Sequence, residues 1–392
     1  MPRTFGEVAR PGSGSARSAV LVSLRDRGPA TRAELARRTG LAPPTITAAV
    51  RRLLEAGVVL DAGPSQREVG RAGPPGTRVA LDGDLAWVLG AEVGFRTLRV
   101  VVCDATGQVR GQGLERLGRD HSADDGLPVL RGLAARVLDQ AGGSAGRVVS
   151  AGVAVRGPVS SARQQVSQSG ELAGWSGLTA QDVAEVLGVP VRLENDANVA
   201  ALGEHVFGAA RGVDTSLTVK LHSGIGAGLI VHSRLFTGAR GGAGEIGHTP
   251  VDPRGPLCRC GKRGCLDTVA AVPALLDAAR PRYGDISVSE LLRRVEAGDA
   301  GATRLVQDAA SAVGDVVANA CLLFAPELVV LTGALSRAGR VVLEPVERAL
   351  LREALPDSDM RPRVVLGELE ERGTPLGAAA LALMQSGWLP RS

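Results

Sequence analysis

Trp87-Val88-Leu89-Gly90-Ala91-Glu92-Val93-Gly94, followed by Leu98-Arg99-Val100-Val101-Val102-Cys103-Asp104, reads as two strands meeting at a glycine turn. About 130 residues later the pattern returns as Leu217-Thr218-Val219-Lys220-Leu221 and Gly226-Ala227-Gly228-Leu229-Ile230-Val231. Two hairpin starts, each followed by helical periodicity, predict a duplicated α/β domain with a cleft between its lobes. Ligands favour such clefts.

Between the repeats, Val189-Pro190-Val191-Arg192-Leu193 reads as a strand, and Glu194-Asn195-Asp196-Ala197-Asn198 emerges from its carboxyl end into a helix. Binding groups in α/β proteins sit at such ends. An adjacent amide and carboxylate suit two hydroxyls of a polyol, and the carboxylate could deprotonate one of them. A helix cap explains an Asn-Asp pair there equally well.

After the second repeat, His248 is followed by Cys258-Arg259-Cys260 and Cys265, four soft donors within eighteen residues. In a chain of 5 cysteines this reads as a tetrahedral zinc site. A complete set of four ligands makes the metal structural rather than catalytic. One disulfide plus a free thiol is the alternative, although the closely spaced Cys258 and Cys260 are awkward to pair. Cys103 and Cys321 lie in apolar runs and read as buried small hydrophobes.

Ahead of the α/β body, residues 1–15 end in Pro-Gly-Ser-Gly-Ser and read as a disordered leader. Residues 16–82 form a predicted winged helix-turn-helix. A first helix over Arg17 to Arg27 turns Val20, Leu21 and Leu24 inward. A second opens on a Thr31/Glu34 capping box and stops at Gly40. A third has Pro44 in its first turn and aligns Ile46, Ala49, Val50, Leu53 and Leu54 on one stripe. Its outward face carries Thr45, Thr47, Arg51 and Arg52, placed to reach bases or phosphates in a major groove. Val58-Val59-Leu60 and Arg78-Val79-Ala80-Leu81 predict a two-stranded wing whose tip, with Arg67 and Arg71, could touch phosphate or the minor groove.

Charge supports this division. The chain carries a net +4, yet residues 1–80 hold 13 Arg against 6 acidic residues, leaving the remaining residues at −3. A basic head on a nearly neutral body indicates nucleic-acid binding; a three-helix protein-interaction module is the bland alternative. With 392 residues and 44% hydrophobic content, two or three cored domains are affordable. Aromatics at 2% argue against base-stacking platforms. No apolar run approaches a membrane span and no signal peptide is evident, so a cytoplasmic location and reduced thiols are expected.

The chain as a whole, over roughly residues 17 to 385, resembles the ROK family of bacterial sugar repressors and sugar kinases, in its repressor branch. The marks are Glu194 to Asn198, Gly224-Ile225-Gly226-Ala227-Gly228, Gly241-Gly242-Ala243-Gly244-Glu245-Ile246-Gly247-His248, and Gly264-Cys265-Leu266-Asp267. The resemblance implies a two-lobed actin-like ATPase fold over residues 85–392, with the second lobe starting near 200 and the C-terminal helix returning to the first lobe. It places a sugar on Asn195, Asp196, Glu245, His248 and Asp267, with Gly157 close by, and it makes Asp196 the position of the kinase base. His248 would offer one ring nitrogen to zinc and the other to sugar.

Departures from the family also carry meaning. Asp267 stands where glutamate is usual, and Glu171 where asparagine often precedes Leu-x-Gly-Trp. Where kinases carry Asp-x-Gly-Gly-Thr, this chain reads Glu92-Val93-Gly94-Phe95-Arg96; His222-Ser223-Gly224 replaces Gly-Thr-Gly, and Thr332-Gly333 replaces a late Gly-Gly. The expectation is a sugar-responsive repressor without kinase activity, acting on operator DNA as a homodimer or tetramer. An active sugar kinase carrying a DNA-binding head is the runner-up. Docking of a protein such as a sugar-transport component is a third reading.

Overall fold

A computed structural model describes residues 16–64, 76–118, 120–167, 172–353 and 361–388. The leader, the wing tip with Arg67 and Arg71, and Glu171 lie outside the described residues.

The head contains α1 (Ala16–Arg27), α2 (Arg32–Thr39) and α3 (Pro43–Glu55). Thr31 caps α2 through the Glu34 N–H, Glu34 answers to the Thr31 N–H, and Gly40 ends the helix at φ +69°. Val20, Leu21, Leu24, Leu35, Ile46, Ala49, Val50 and Leu53 close one small core. The expected two-stranded wing forms from β2 (Val59–Pro64) and β3 (Thr77–Leu81), paired antiparallel, and a third strand, β1 (Ala30–Thr31), adds to it in the order β1-β3-β2. A two-residue strand has no periodicity to reveal it. It is held by pairing Ala30 with Val79 and Thr31 with Arg78.

The body consists of two sheets of identical topology. The first holds β4 (Trp87–Val93), β5 (Thr97–Asp104), β6 (Val109–Arg116), β7 (Val148–Val155) and, beyond the small β8 (Val159–Ser160) and β9 (Gln165–Val166) hairpin, β10 (Val191–Asn195). The second holds β11 (Ser216–Leu221), β12 (Ile225–Val231), β13 (Arg234–Phe236), β14 (Leu328–Thr332) and β15 (Arg363–Leu366). Their orders are β10-β7-β4-β5-β6 and β13-β12-β11-β14-β15. In each, the first three strands form an antiparallel meander and the last two join in parallel beside the first. The repeat legible in the two hairpins therefore extends to whole sheets.

The helices that close these layers are α4 (Ala123–Gln140), α5 (Ala180–Leu187), α6 (Asp196–Phe207), α7 (Asp267–Ala270), α8 (Val272–Tyr283), α9 (Val288–Glu296), α10 (Ala300–Phe324), α11 (Arg340–Glu353) and α12 (Gly373–Gln385). Last in the chain, α12 packs on the first sheet, with Leu376, Ala379, Leu383 and Met384 against Val88, Val101 and Cys103. It also lies tightly on α6: a Cβ at Gly377 would stand 1.8 Å from the Val199 carbonyl oxygen. On its other side α6 lies on β12, where a Cβ at Gly228 would meet the Ala201 methyl at 2.5 Å. Gly226 and Gly228, among the family marks in the sequence, thus serve to let a helix approach a strand. Cys103 is buried, whereas Cys321 is only partly so, a correction to its reading as a core residue. No helix among the described residues is long and apolar enough to cross a membrane.

Candidate functional site

A cavity of about 290 Å³ opens at the carboxyl end of β10, lined among others by Arg156, Gly157, Asn195, Asp196, Lys220, Glu245, His248, Arg259 and Asp267. All six residues expected to touch ligand line it. Asn195 is the N-cap of α6. Its Oδ1 accepts the Ala197 and Asn198 N–H groups at 2.8 and 3.2 Å, and its Nδ2 donates to the Gly157 carbonyl at 3.1 Å. The capping reading of this residue is therefore correct, and the cap also fixes where Asp196 begins the helix.

Asp196 faces Lys220, whose Nζ lies 2.8 Å from Asp196 Oδ2, 3.0 Å from Glu92 Oε1 and 3.0 Å from Thr374 Oγ1. Burial by itself would raise the Asp196 carboxyl. The Lys220 ammonium and the Arg156 guanidinium outweigh it and hold the group below the usual carboxylate range. Glu92 is lowered in the same way, against burial, by Lys220 and Arg99. Lys220, reciprocally, is raised despite burial by its two carboxylate partners. Burial, with Lys220 nearby, pushes the His222 imidazole down to about 4, so it is neutral at physiological pH. Its Nδ1 lies 3.0 Å from Ser223 Oγ, to which Arg156 also donates.

On the far wall, His248 points its two nitrogens in different directions. Nδ1 lies 3.6 Å from Cys258 Sγ, and Nε2 lies 4.0 Å from Glu245 Oε2 in the cavity lining. The donor atoms of His248, Cys258, Cys260 and Cys265 all lie within 4.8 Å of one another. The three cysteines of the group are free thiols in this structure. Zinc–sulfur bonds of about 2.3 Å in a tetrahedron set neighbouring sulfurs roughly 3.8 Å apart, and Cys260 and Cys265 are separated by 3.6 Å. The group could hold a metal ion, and its size and donor chemistry fit a tetrahedral dication.

Asp267 begins α7, and its oxygens are engaged by the Ile225 N–H at 2.7 Å and by Arg259 at 3.1 Å. Arg259, between two cysteines of the cluster, thus links the metal loop to the cavity. Sequence reasoning passed over it and over Lys220. A lone charge inside the strand Leu217–Leu221 was the available signal. In the turn after β4, Phe95 packs on the first-lobe core and Arg96 is exposed, and neither lines this cavity. In the head, Thr45, Thr47, Arg51 and Arg52 are all exposed on α3, and Arg51 pairs with Glu55 at 3.8 Å.

Two equivalent lobes with a polar cleft, braced by a His-Cys cluster and preceded by a winged helix-turn-helix, define a regulator built on a sugar-kinase fold. Residues 88–385 match the ROK family and residues 17–59 match the winged helix-turn-helix DNA-binding family. The chain belongs to the ROK family. It is 30% identical to the glucokinase of Thermotoga maritima over 75% of this chain and 96% of that protein. To the N-acetylglucosamine repressor of Escherichia coli O157:H7 it is 27% identical, over 93% of this chain and 91% of that one. Among solved structures, a ROK family transcriptional regulator homologous to the E. coli MLC protein superposes with a TM-score of 0.77 at 26% identity, covering 95% of this chain and 96% of the other.

Proposed function

We propose that this protein is a sugar-responsive DNA-binding repressor of carbohydrate uptake or catabolism genes. The observation that carries the reading is coverage: likeness to the regulators runs through head and body, at 93% and 95% of the chain, while likeness to the glucokinase spans 75%. In this reading residues 16–82 are the DNA-binding domain and 85–392 the sugar-binding body. Thr45, Thr47, Arg51, Arg52 and Arg71 contact operator DNA. Gly157, Asn195, Asp196, Glu245, His248 and Asp267 surround a monosaccharide or its derivative. A structural zinc on His248, Cys258, Cys260 and Cys265 holds the loop that carries half of these groups; the separate directions of the His248 nitrogens support that link. The protein acts in the cytoplasm, as a dimer or tetramer, because one small head reads too few bases for specificity.

Sugar in the cleft shifts the spacing of the heads. A swing in operator occupancy from 99:1 to 1:99 requires about 5.5 kcal/mol of preference for one state. Asp196 serves as a hydroxyl acceptor, since an ammonium 2.8 Å away opposes its taking up a proton. The kinase reading draws on the 30% identity to a glucokinase, and a coupled assay for sugar-dependent ATP turnover decides it; ordinary kinase rates would displace the proposal. The main test is a gel-shift titration on DNA upstream of the gene and its neighbours, with a panel of monosaccharides as effectors. Arg51→Ala with Arg52→Ala should weaken binding and reduce the slope of log K against log salt by roughly 1 per lost phosphate contact. Unchanged affinity and slope would remove α3 as the recognition helix.

A further inference from the structure

The chain contains 43 arginines and only 2 lysines, Lys220 and Lys262. Against that bias, an ammonium at position 220 calls for a reason. Lys220 is 8% exposed and stands on β11 in the second sheet. Its three bonds go to Glu92 on β4 of the first sheet, to Asp196 at the start of α6, and to Thr374 in the first turn of α12. An ammonium has three donors, and here all three are used. A guanidinium is a planar fork suited to one carboxylate face, whereas a compact point charge can sit between two carboxylates and a hydroxyl that arrive from different directions. Burying a lysine in a strand costs desolvation that only such pairing offsets. Without it, Glu92 and Asp196 would face each other as like charges in a poorly solvated cleft floor.

We propose that Lys220 is a tethered cation that takes the seat a diffusible divalent ion would occupy between Glu92 and Asp196, and so ties the two lobes together across the cleft floor. The cleft then needs no metal-bearing nucleotide to neutralise its carboxylates or to hold its lobes in register. Only the bearing of this on ligand recognition, through Asp196, rests on the sugar site proposed above.

The test is thermal unfolding of the full chain in MnCl2 titrations, comparing wild type, Lys220→Met, and Lys220→Met combined with Glu92→Gln. The single variant should melt roughly 5–10 °C below wild type and regain most of that loss at saturating Mn2+. The double variant should recover without Mn2+ and ignore it. All three chains share the cysteine cluster, so any Mn2+ effect there is common to them and cancels. If the single variant does not accumulate folded, a soluble double variant supports the proposal, and insolubility of both overturns it by showing that packing rather than charge was lost. Equal losses in single and double variants, no loss in the single variant, or its indifference to Mn2+ would each overturn it as well. No sugar enters the assay, so failure of the sugar-site reading leaves these outcomes unaffected.

Discussion

The turn between β4 and β5 and the turn between β11 and β12 occupy equivalent places in two sheets of the same topology, yet they do different work. In the first, the Gly94 N–H bonds the Thr97 carbonyl at 2.8 Å, Phe95 folds back onto its own lobe's core and Arg96 is exposed. In the second, Gly224, Ile225 and Gly226 line the cavity, Ser223 receives Arg156, and the Ile225 N–H holds Asp267. Duplication supplied the scaffold twice, but of the two turns only the second lines the cavity. In the proposed reading, the second turn's side of the cleft serves sugar, and the first turn's side, where a kinase would hold phosphates, has become packing.

The strongest way to break this contrast is through the metal loop that supports the second turn. If zinc sits there as proposed, Cys258→Ser should reduce bound zinc from about one per chain toward none, by metal analysis, and weaken effector binding by more than ~100-fold, because the proposed metal would fix His248 and Arg259. A zinc-free variant that still binds its sugar normally would separate loop and pocket. Next in size, Asp196→Asn would remove the proposed hydroxyl acceptor and should cost roughly 10–100-fold in effector affinity by calorimetry; a change under twofold would exclude Asp196 from the site.

The Lys220 cluster also predicts a pH window. Asp196 and Glu92 lie below their ordinary range, so their stabilisation is complete above about pH 4 and is lost as pH falls through the lowered folded values. Lys220 lies above its ordinary range, so its share is complete below about pH 10 and is lost as pH rises through the raised value. The difference in unfolding free energy between wild type and Glu92→Gln should therefore stay flat from about pH 5 to pH 9. A step inside that window would mean a different pairing. Smallest of all, Phe95→Gly with Arg96→Thr should change effector affinity less than about threefold and confer no ATP turnover, since these side chains lie off the cavity. A large effect on either would show that the first turn does face ligand.

Much of the site was legible because its residues carry local signals. Four soft donors in a short span announce a group that could hold a metal wherever the loop lies, and a Thr31/Glu34 box or a Gly40 stop is written within three or four residues. The strand-to-helix step at Asn195 was equally plain, though its two readings were not separable: whether Oδ1 caps backbone or awaits a hydroxyl depends on the path of α6. The packing role of Gly226 and Gly228 was not legible for a related reason. A glycine's role is set by what approaches it, and here that is a helix from an earlier part of the chain.

By itself the sequence determined the three head helices, the repeated hairpins, the basic head and the His-Cys group, since each follows from periodicity, caps, charge counts or donor spacing over short stretches. Tertiary structure alone decided that Lys220 joins Glu92, Asp196 and Thr374, separated from it by 128, 24 and 154 positions. It alone decided that Phe95 turns inward to its own core, that Arg259 reaches Asp267, and that a two-residue strand completes the head. Those contacts are long-range, and their energy comes from which charges and surfaces share a buried space, a quantity no local pattern encodes.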